Sequence, residues 1–160
     1  MRIAVLNGPN LNLLGMREPE IYGTTTLAEI EARVREVADE LGVQLAFGQF
    51  NHEGDLIDAI HALGGRGAAP GVAPDLREKA DGALVNAGGW SHTSIALADA
   101  LSSVKLPYVE VHLSNIFSRE QERRHTVLAA GARGLLCGFG AHGYEMALRG
   151  LAHSLRPGRR

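Results

Sequence analysis

The chain has 160 residues, 45% of them hydrophobic, and a net charge of −2, which suits a single domain over 1–160 with a sizeable core and gives no electrostatic footprint for nucleic acid. With no signal-peptide pattern and no run of about 18 apolar residues, the expectation is a soluble cytoplasmic protein without a membrane span. One cysteine, Cys137, excludes an intramolecular disulfide framework and a cysteine-rich metal site, and its neighbours Leu135 and Leu136 make it read as a small core residue.

The chain opens on Ile3, Ala4, Val5 and Leu6, an apolar run typical of a buried strand. The next stretch, Asn7 to Gly23 (NGPNLNLLGMREPEIYG), far exceeds the roughly two to six residues that usually join a strand to the following helix, and connections of that length are commonly lids or binding loops. It carries Asn10, Asn12, Arg17 and Tyr22, with Gly15 and Gly23 as bending points, so it reads as a mobile active-site loop. A solvated loop with Tyr22 packed as a cover is the competing reading.

Thr26 and Glu29 have capping-box spacing, and Leu27, Ile30, Val34, Val37 and Leu41 recur at helical intervals up to Gly42. Val43, Leu45 and Phe47 alternate as a second strand, and the turn Asn51-His52-Glu53-Gly54 leads to a helix carrying Leu56, Ile57, Ile60 and Leu63. The Gly-, Ala- and Pro-rich stretch Gly64 to Pro74 offers no periodic apolar face and reads as a flexible surface excursion. A third strand at Ala83 to Val85 ends at Asn86; a helix follows from about His92 through Leu101. Tyr108 to His112 is the fourth strand, an arginine-rich polar segment comes next, and a fifth strand near Leu135 to Gly138 precedes a closing helix with Tyr144, Leu148, Leu151 and Leu155. Regular alternation of strand and helix predicts an α/β three-layer sandwich around a five-stranded parallel sheet, with the flavodoxin-like order 2-1-3-4-5. Such sheets bind ligands outside the carboxyl ends of their strands.

The uncommon polar residues fall at that edge. Asn7 and Asn10 follow the first strand, Asn86 ends the third, and Glu110, His112, Ser114 and Asn115 close the fourth. A carboxylate inside a doubly covered strand needs a partner. His112, two residues on from Glu110, shares its face, so the carboxylate can orient the imidazole, favour its protonated form and prepare a general acid. Tyr22 with Arg17 suits the complementary task. A phenol of reference pKa about 10 must be lowered by roughly three units, about 4 kcal/mol, to ionise near neutrality. One guanidinium at about 4 Å in an effective dielectric of about 20 supplies energy of that order. A tyrosinate base, a histidine acid and several amide donors fit proton abstraction beside a carbonyl followed by elimination, with no metal or other cofactor required.

At these residues the chain resembles the type II 3-dehydroquinate dehydratases. The loop from Asn7 to Gly23, the segment NHEG at 51–54, NAGGWSHTSIALADAL from Asn86, EVHLSN from Glu110 and GFGAHGYEMAL from Gly138 match in order. The resemblance implies a flavodoxin-like subunit, assembled as a dodecamer built from trimers, that dehydrates 3-dehydroquinate to 3-dehydroshikimate in the shikimate or quinate pathways. By motif, it makes Tyr22 the proton acceptor at C2, Arg17 the group stabilising the tyrosinate, and Asn10 the holder of a water against the enolate oxygen. His112 protonates the departing C1 hydroxyl and Glu110 orients it. Asn86, the backbone of Leu113 and Ser114 form the carboxylate site, His92 and Arg123 meet the ring hydroxyls, and Asp99 reaches substrate from a neighbouring subunit. This chain differs from the family pattern in the longer segment Gly64 to Lys79, in Phe50, Trp90 and Phe117, and in Gln121-Glu122 before Arg123.

Two rivals share the fold or the chemistry. A flavodoxin-like nucleotide- or flavin-binding module is one, although Pro9 and the long loop suit a phosphate cradle poorly. A Schiff-base dehydratase would need Lys79 or Lys105. No G-x-S-x-G elbow supports a serine hydrolase.

Overall fold

The computed structural model describes residues 1–16, 24–67 and 70–156. Its strands are β1 (Arg2–Asn7), β2 (Gln44–Gln49), β3 (Gly82–Asn86), β4 (Tyr108–His112) and β5 (Gly134–Cys137), and its helices are α1 (Leu27–Leu41), α2 (Glu53–Leu63), α3 (Ile95–Val104) and α4 (His142–Leu155). All strand pairings are parallel, in the order β2-β1-β3-β4-β5. That is the flavodoxin-like arrangement expected from the alternation of elements.

The period of two in each strand divides the core into two halves. Ala4, Leu6, Ala83 and Val85 face α2 and α3, where Leu56, Ile60, Leu63, Leu97 and Leu101 cover them. Ile3, Val5, Leu84, Val109 and Val111 face α1 and α4, against Ile30, Val34, Val37, Leu148 and Leu151. Each such side chain contributes about 1.5–3 kcal/mol on burial. Because β1 and β3 are covered on both sides, Ile3, Ala4, Leu6, Ala83 and Leu84 have no exposed surface. The register pairs Asn7 with both Gln49 and Asn86 and His112 with Cys137, so the carboxyl ends of the strands finish side by side.

Local chemistry sets the helix ends. The capping box at α1 is formed: Thr26 Oγ1 accepts from Glu29 N at 3.2 Å, and Glu29 Oε2 accepts from Thr26 N at 2.8 Å. The Thr26 donors, its backbone N–H foremost, hold the Glu29 carboxyl below its usual range. Gly42, with φ 65°, ends the helix in the left-handed region. Helix α3 begins later than its apolar pattern suggests, at Ile95 rather than near His92, because the Ser94 hydroxyl accepts from Leu97 N at 2.9 Å and fixes the cap there. Residues Gly88–His92 form a 3-10 turn instead.

Two further expectations are corrected. Most described residues of the stretch Gly64 to Pro74 lie on the surface as expected, but the stretch is anchored rather than free at its end: Val72 and, just beyond it, Leu76 are buried in the core, and Arg77 donates to the carbonyls of Val72 (2.7 Å) and Pro70 (3.0 Å). Leu76 settles over Gly48 of β2, where an added Cβ would come within 2.7 Å of Leu76 Cδ1. A few anchoring side chains suffice where no periodic face exists. Cys137 is only half-buried, because β5 is an edge strand with partial cover.

Helix α3 ends on Lys105 at φ 53°, a conformation that suits glycine. Lys105→Gly is expected to stabilise the fold by about 0.5–1 kcal/mol. Chemical denaturation of the two proteins side by side checks the sign.

Candidate active site

The site is assembled at the carboxyl edge, and its floor is a buried hydrogen-bond chain. Tyr144 of α4, with no exposed surface, donates to Asn7 Oδ1 and accepts from Asn86 Nδ2, both at 2.7 Å. Asn7 Nδ2 donates to the Gly48 carbonyl at 3.1 Å, and Asn86 Oδ1 accepts from Gly88 N at 3.2 Å. The side-chain polar atoms of Asn7, Asn86 and Tyr144 therefore all have partners, as low-dielectric burial requires. Burial drives the Tyr144 phenol pKa well upward, against the smaller opposing effect of the Asn86 bond, so the group stays neutral. Gly8 lies hard against Ala87; an added Cβ would meet the Ala87 carbonyl oxygen at 2.3 Å. Beyond it the chain turns through Asn10 at φ 65°, whose N–H donates to Asn51 Oδ1 at 3.0 Å.

The wall is built by β4 and the segment after it. Glu110 has no exposed surface and His112 is 6% exposed. His112 Nε2 lies 2.8 Å from Glu110 Oε1, and Thr126 Oγ1 lies 2.7 and 2.9 Å from the two carboxylate oxygens. The carboxylate accepts, so Nε2 of His112 carries a proton and Nδ1 is the nitrogen left for other work. His92 stands beside it, with near-parallel rings at a centroid separation of 6.0 Å. His92 Nδ1 donates to the His125 carbonyl at 2.6 Å, and the His125 ring returns a bond to the His92 carbonyl at 2.9 Å. This fixes the His92 tautomer and leaves Nε2 as an acceptor. Burial lowers the His92 pKa below its ordinary value; the His125 carbonyl opposes this, and the charges of His112, His125 and Arg123 reinforce it.

Between floor and wall lies a cleft of about 150 Å³. Its polar lining comprises Asn10, Asn86, His92, His112, Ser114, Arg119 and Arg123, and its apolar lining Pro9, Leu11, Leu14, Leu113 and Ile116. Arg119 and Arg123 both pair with Glu120, so a charged cluster sits on the rim. The Dehydroquinase class II family model matches residues 1–152.

The chain belongs to the class II dehydroquinase family. A 3-dehydroquinate dehydratase of Gemmatimonas aurantiaca is 54% identical over 155 residues, spanning 97% of this chain and 93% of the relative. One from Dinoroseobacter shibae is 52% identical over 163 aligned positions, spanning 98% of this chain and 100% of its own. The type II dehydroquinase of Propionibacterium acnes superposes with a TM-score of 0.81 at 42% identity, covering 94% of this chain and 95% of that one. That of Butyrivibrio crossotus gives 0.83 at 36%, covering 94% and 97%.

Of the site residues expected in this class II dehydroquinase, the cleft brings together Asn10, Asn86, His92, His112, Leu113, Ser114 and Arg123. Glu110 lies behind His112 as its partner. Asp99 is exposed on α3, outside the cleft of its own chain. Arg17 and Tyr22 lie outside the described residues. The altered Gln121-Glu122 leaves Arg123 in the lining, and Phe50, Trp90 and Phe117 do not line the cleft; Phe50 and Trp90 pack against the core, while Phe117 is 54% exposed. Among the described residues, no three His, Cys, Asp or Glu side chains gather to hold a metal ion, and no helix is long and apolar enough to cross a membrane.

Sequence reasoning missed Arg119, His125, Thr126 and Tyr144 as parts of this site. A tyrosine on an apolar helix face and a threonine in a polar segment carry no local signal; their importance arises from what they meet across the fold.

Tyr144→Phe would leave Asn7 Oδ1 and Asn86 Nδ2 buried without that partner, and is expected to cost about 2–4 kcal/mol of stability, readable by urea denaturation. For His92 the pH dependence has a definite sign. Its folded pKa lies below the unfolded value, so as pH falls below about 6.5 the unfolded chain takes up a proton first and stability declines. The decline from this group ends once the folded histidine is also protonated. His92→Gln is expected to give a shallower loss of stability on the acid side, measured as Tm against pH.

Proposed function

We propose that this chain is a 3-dehydroquinate dehydratase that works by proton abstraction beside the ketone, an enolate intermediate, and acid-assisted loss of the C1 hydroxyl as water. The observation that carries the reading is the His112–Glu110 pair on the cleft wall. A histidine whose Nε2–H is committed to a buried carboxylate can offer a proton from Nδ1 when doubly protonated, and Glu110 keeps the ring aimed while compensating the positive charge. His112 is the general acid and Glu110 its positioning residue.

The base is Tyr22, made acidic by Arg17, on the strength of the loop motif that matches the family. It takes the C2 proton; the electron pair moves to the C3 oxygen as an enolate, near which Asn10 holds a water. Collapse of the enolate expels the C1 hydroxyl as His112 protonates it, leaving the conjugated enone. Asn86 retains one amide hydrogen beyond its bond to Tyr144, and this N–H, the Leu113 backbone and Ser114 bind the substrate carboxylate. His92 Nε2 accepts from a ring hydroxyl and Arg123 donates to another. Asp99, exposed and away from its own cleft, serves a neighbouring subunit's site, so the working form is a homo-oligomer, the dodecamer of trimers that the resemblance implies. The single domain over 1–160, cytoplasmic action and a place in the shikimate or quinate pathways belong to the same proposal.

Purified protein supplied with 3-dehydroquinate and a chelator is expected to generate the ultraviolet absorbance of an enone. Removing a general acid or base commonly costs about 10²–10⁴ in rate. His112→Ala and Tyr22→Phe should each lower kcat by about that factor while the assembly persists. A folded wild type that leaves the substrate untouched, or a Tyr22→Phe variant with unchanged turnover, would sink the function or the assignment of the base respectively.

A further inference from the structure

The segment from Arg123 to Leu128 passes behind the cleft and fastens both of its histidines. The His125 carbonyl holds His92, Val127 N donates to the Ser91 carbonyl at 2.9 Å, and the Leu128 carbonyl accepts the Tyr108 hydroxyl. Thr126 occupies the centre of this strap. Its Oγ1 accepts from Leu128 N at 3.1 Å and lies within 2.9 Å of both Glu110 oxygens. A threonine hydroxyl has one proton. With a backbone N–H already directed at its oxygen, that proton points to the carboxylate.

Glu110 has no exposed surface, and among the described residues its side-chain donors are Thr126 and His112. Without the hydroxyl, the carboxylate would be held by the very partner it is meant to orient. The terminal torsion of a glutamate is soft, so the carboxylate would turn and carry the His112 ring with it. A misplacement of about half an ångström or 10–20° is enough to spoil a productive geometry. We infer that Thr126 is a positioning residue of this active site, acting through Glu110 on His112 and thereby on the proton-transfer step. Its kinetic form rests on the dehydratase reading above.

The test compares Thr126→Val, Thr126→Ser and Thr126→Cys with wild type as assembled proteins, with folding checked by thermal melts. Thr126→Val removes the proton and keeps the shape; kcat for 3-dehydroquinate should fall about 10- to 100-fold, with KM within about twofold of wild type. Thr126→Ser should restore most of the rate. If the valine variant fails to fold, Thr126→Cys, with a weak donor of similar size, should show the same selective loss of kcat. In a Glu110→Gln background the Thr126 substitution should add little further loss, because its effect passes through Glu110. An unchanged kcat, a loss confined to KM, or full additivity with Glu110→Gln would overturn the assignment. Should wild type itself fail to turn over 3-dehydroquinate, the dehydratase reading falls, while crystal structures of wild type and the folded Val or Cys variant still decide this point. A displaced Glu110–His112 pair supports the role of Thr126, and an unmoved pair refutes it.

Discussion

A carboxylate with no exposed surface inside a parallel sheet is costly unless donors converge on it, and the arrangement at the carboxyl edge of β4 follows from that constraint. Glu110 sits between β3 and β5, on the face covered by α2 and α3, and cannot reach water. Its oxygens are met by His112 from its own strand and by Thr126 from the strap that returns over the sheet. Meeting this need fixes the ring of His112, seats the strap, and so places Arg123 on the cleft and the His125 carbonyl against His92. An unpaired charge here would be strongly destabilising, so the same bonds that orient the His112 ring also close the fold around it.

The opposite face supports the cleft by a different means. Tyr144 has no charge to satisfy, but its hydroxyl is buried and bridges Asn7 and Asn86 across adjacent strands. Packing and polar satisfaction coincide in this side chain: its ring fills the core shared by α1 and α4, and its hydroxyl sets the amide that lines the cleft. The close approach of Gly8 to Ala87 then lets the first loop leave the sheet directly over the site. Functional side chains are consequently held by strands and a buried network, which gives more precise placement than loops alone would provide.

The two histidines of the cleft receive opposite environments. His112 faces a carboxylate; His92 faces a carbonyl and is pressed toward neutrality by burial and by neighbouring positive charge. Nδ1 of His112 and Nε2 of His92 are thereby the ring nitrogens left free of those partners.

The sequence by itself determined the strand and helix alternation, the order of the sheet, the capping of α1 and the sharing of one face by Glu110 and His112, because each depends on local propensity or on the fixed periods of strand and helix. It also identified most of the polar residues lining the cleft, since ligand sites of such sheets gather at strand ends and the motifs there are distinctive. Only the tertiary structure decided the start of α3 at Ile95, the docking of Val72 and Leu76, and the partial exposure of Cys137 on an edge strand. It alone revealed Thr126 behind Glu110 and Tyr144 between the two asparagines. Those contacts join residues 16, 58 and 137 positions apart in the chain. No local period encodes such a meeting; it exists only once the layers have packed and every buried polar atom must find its partner.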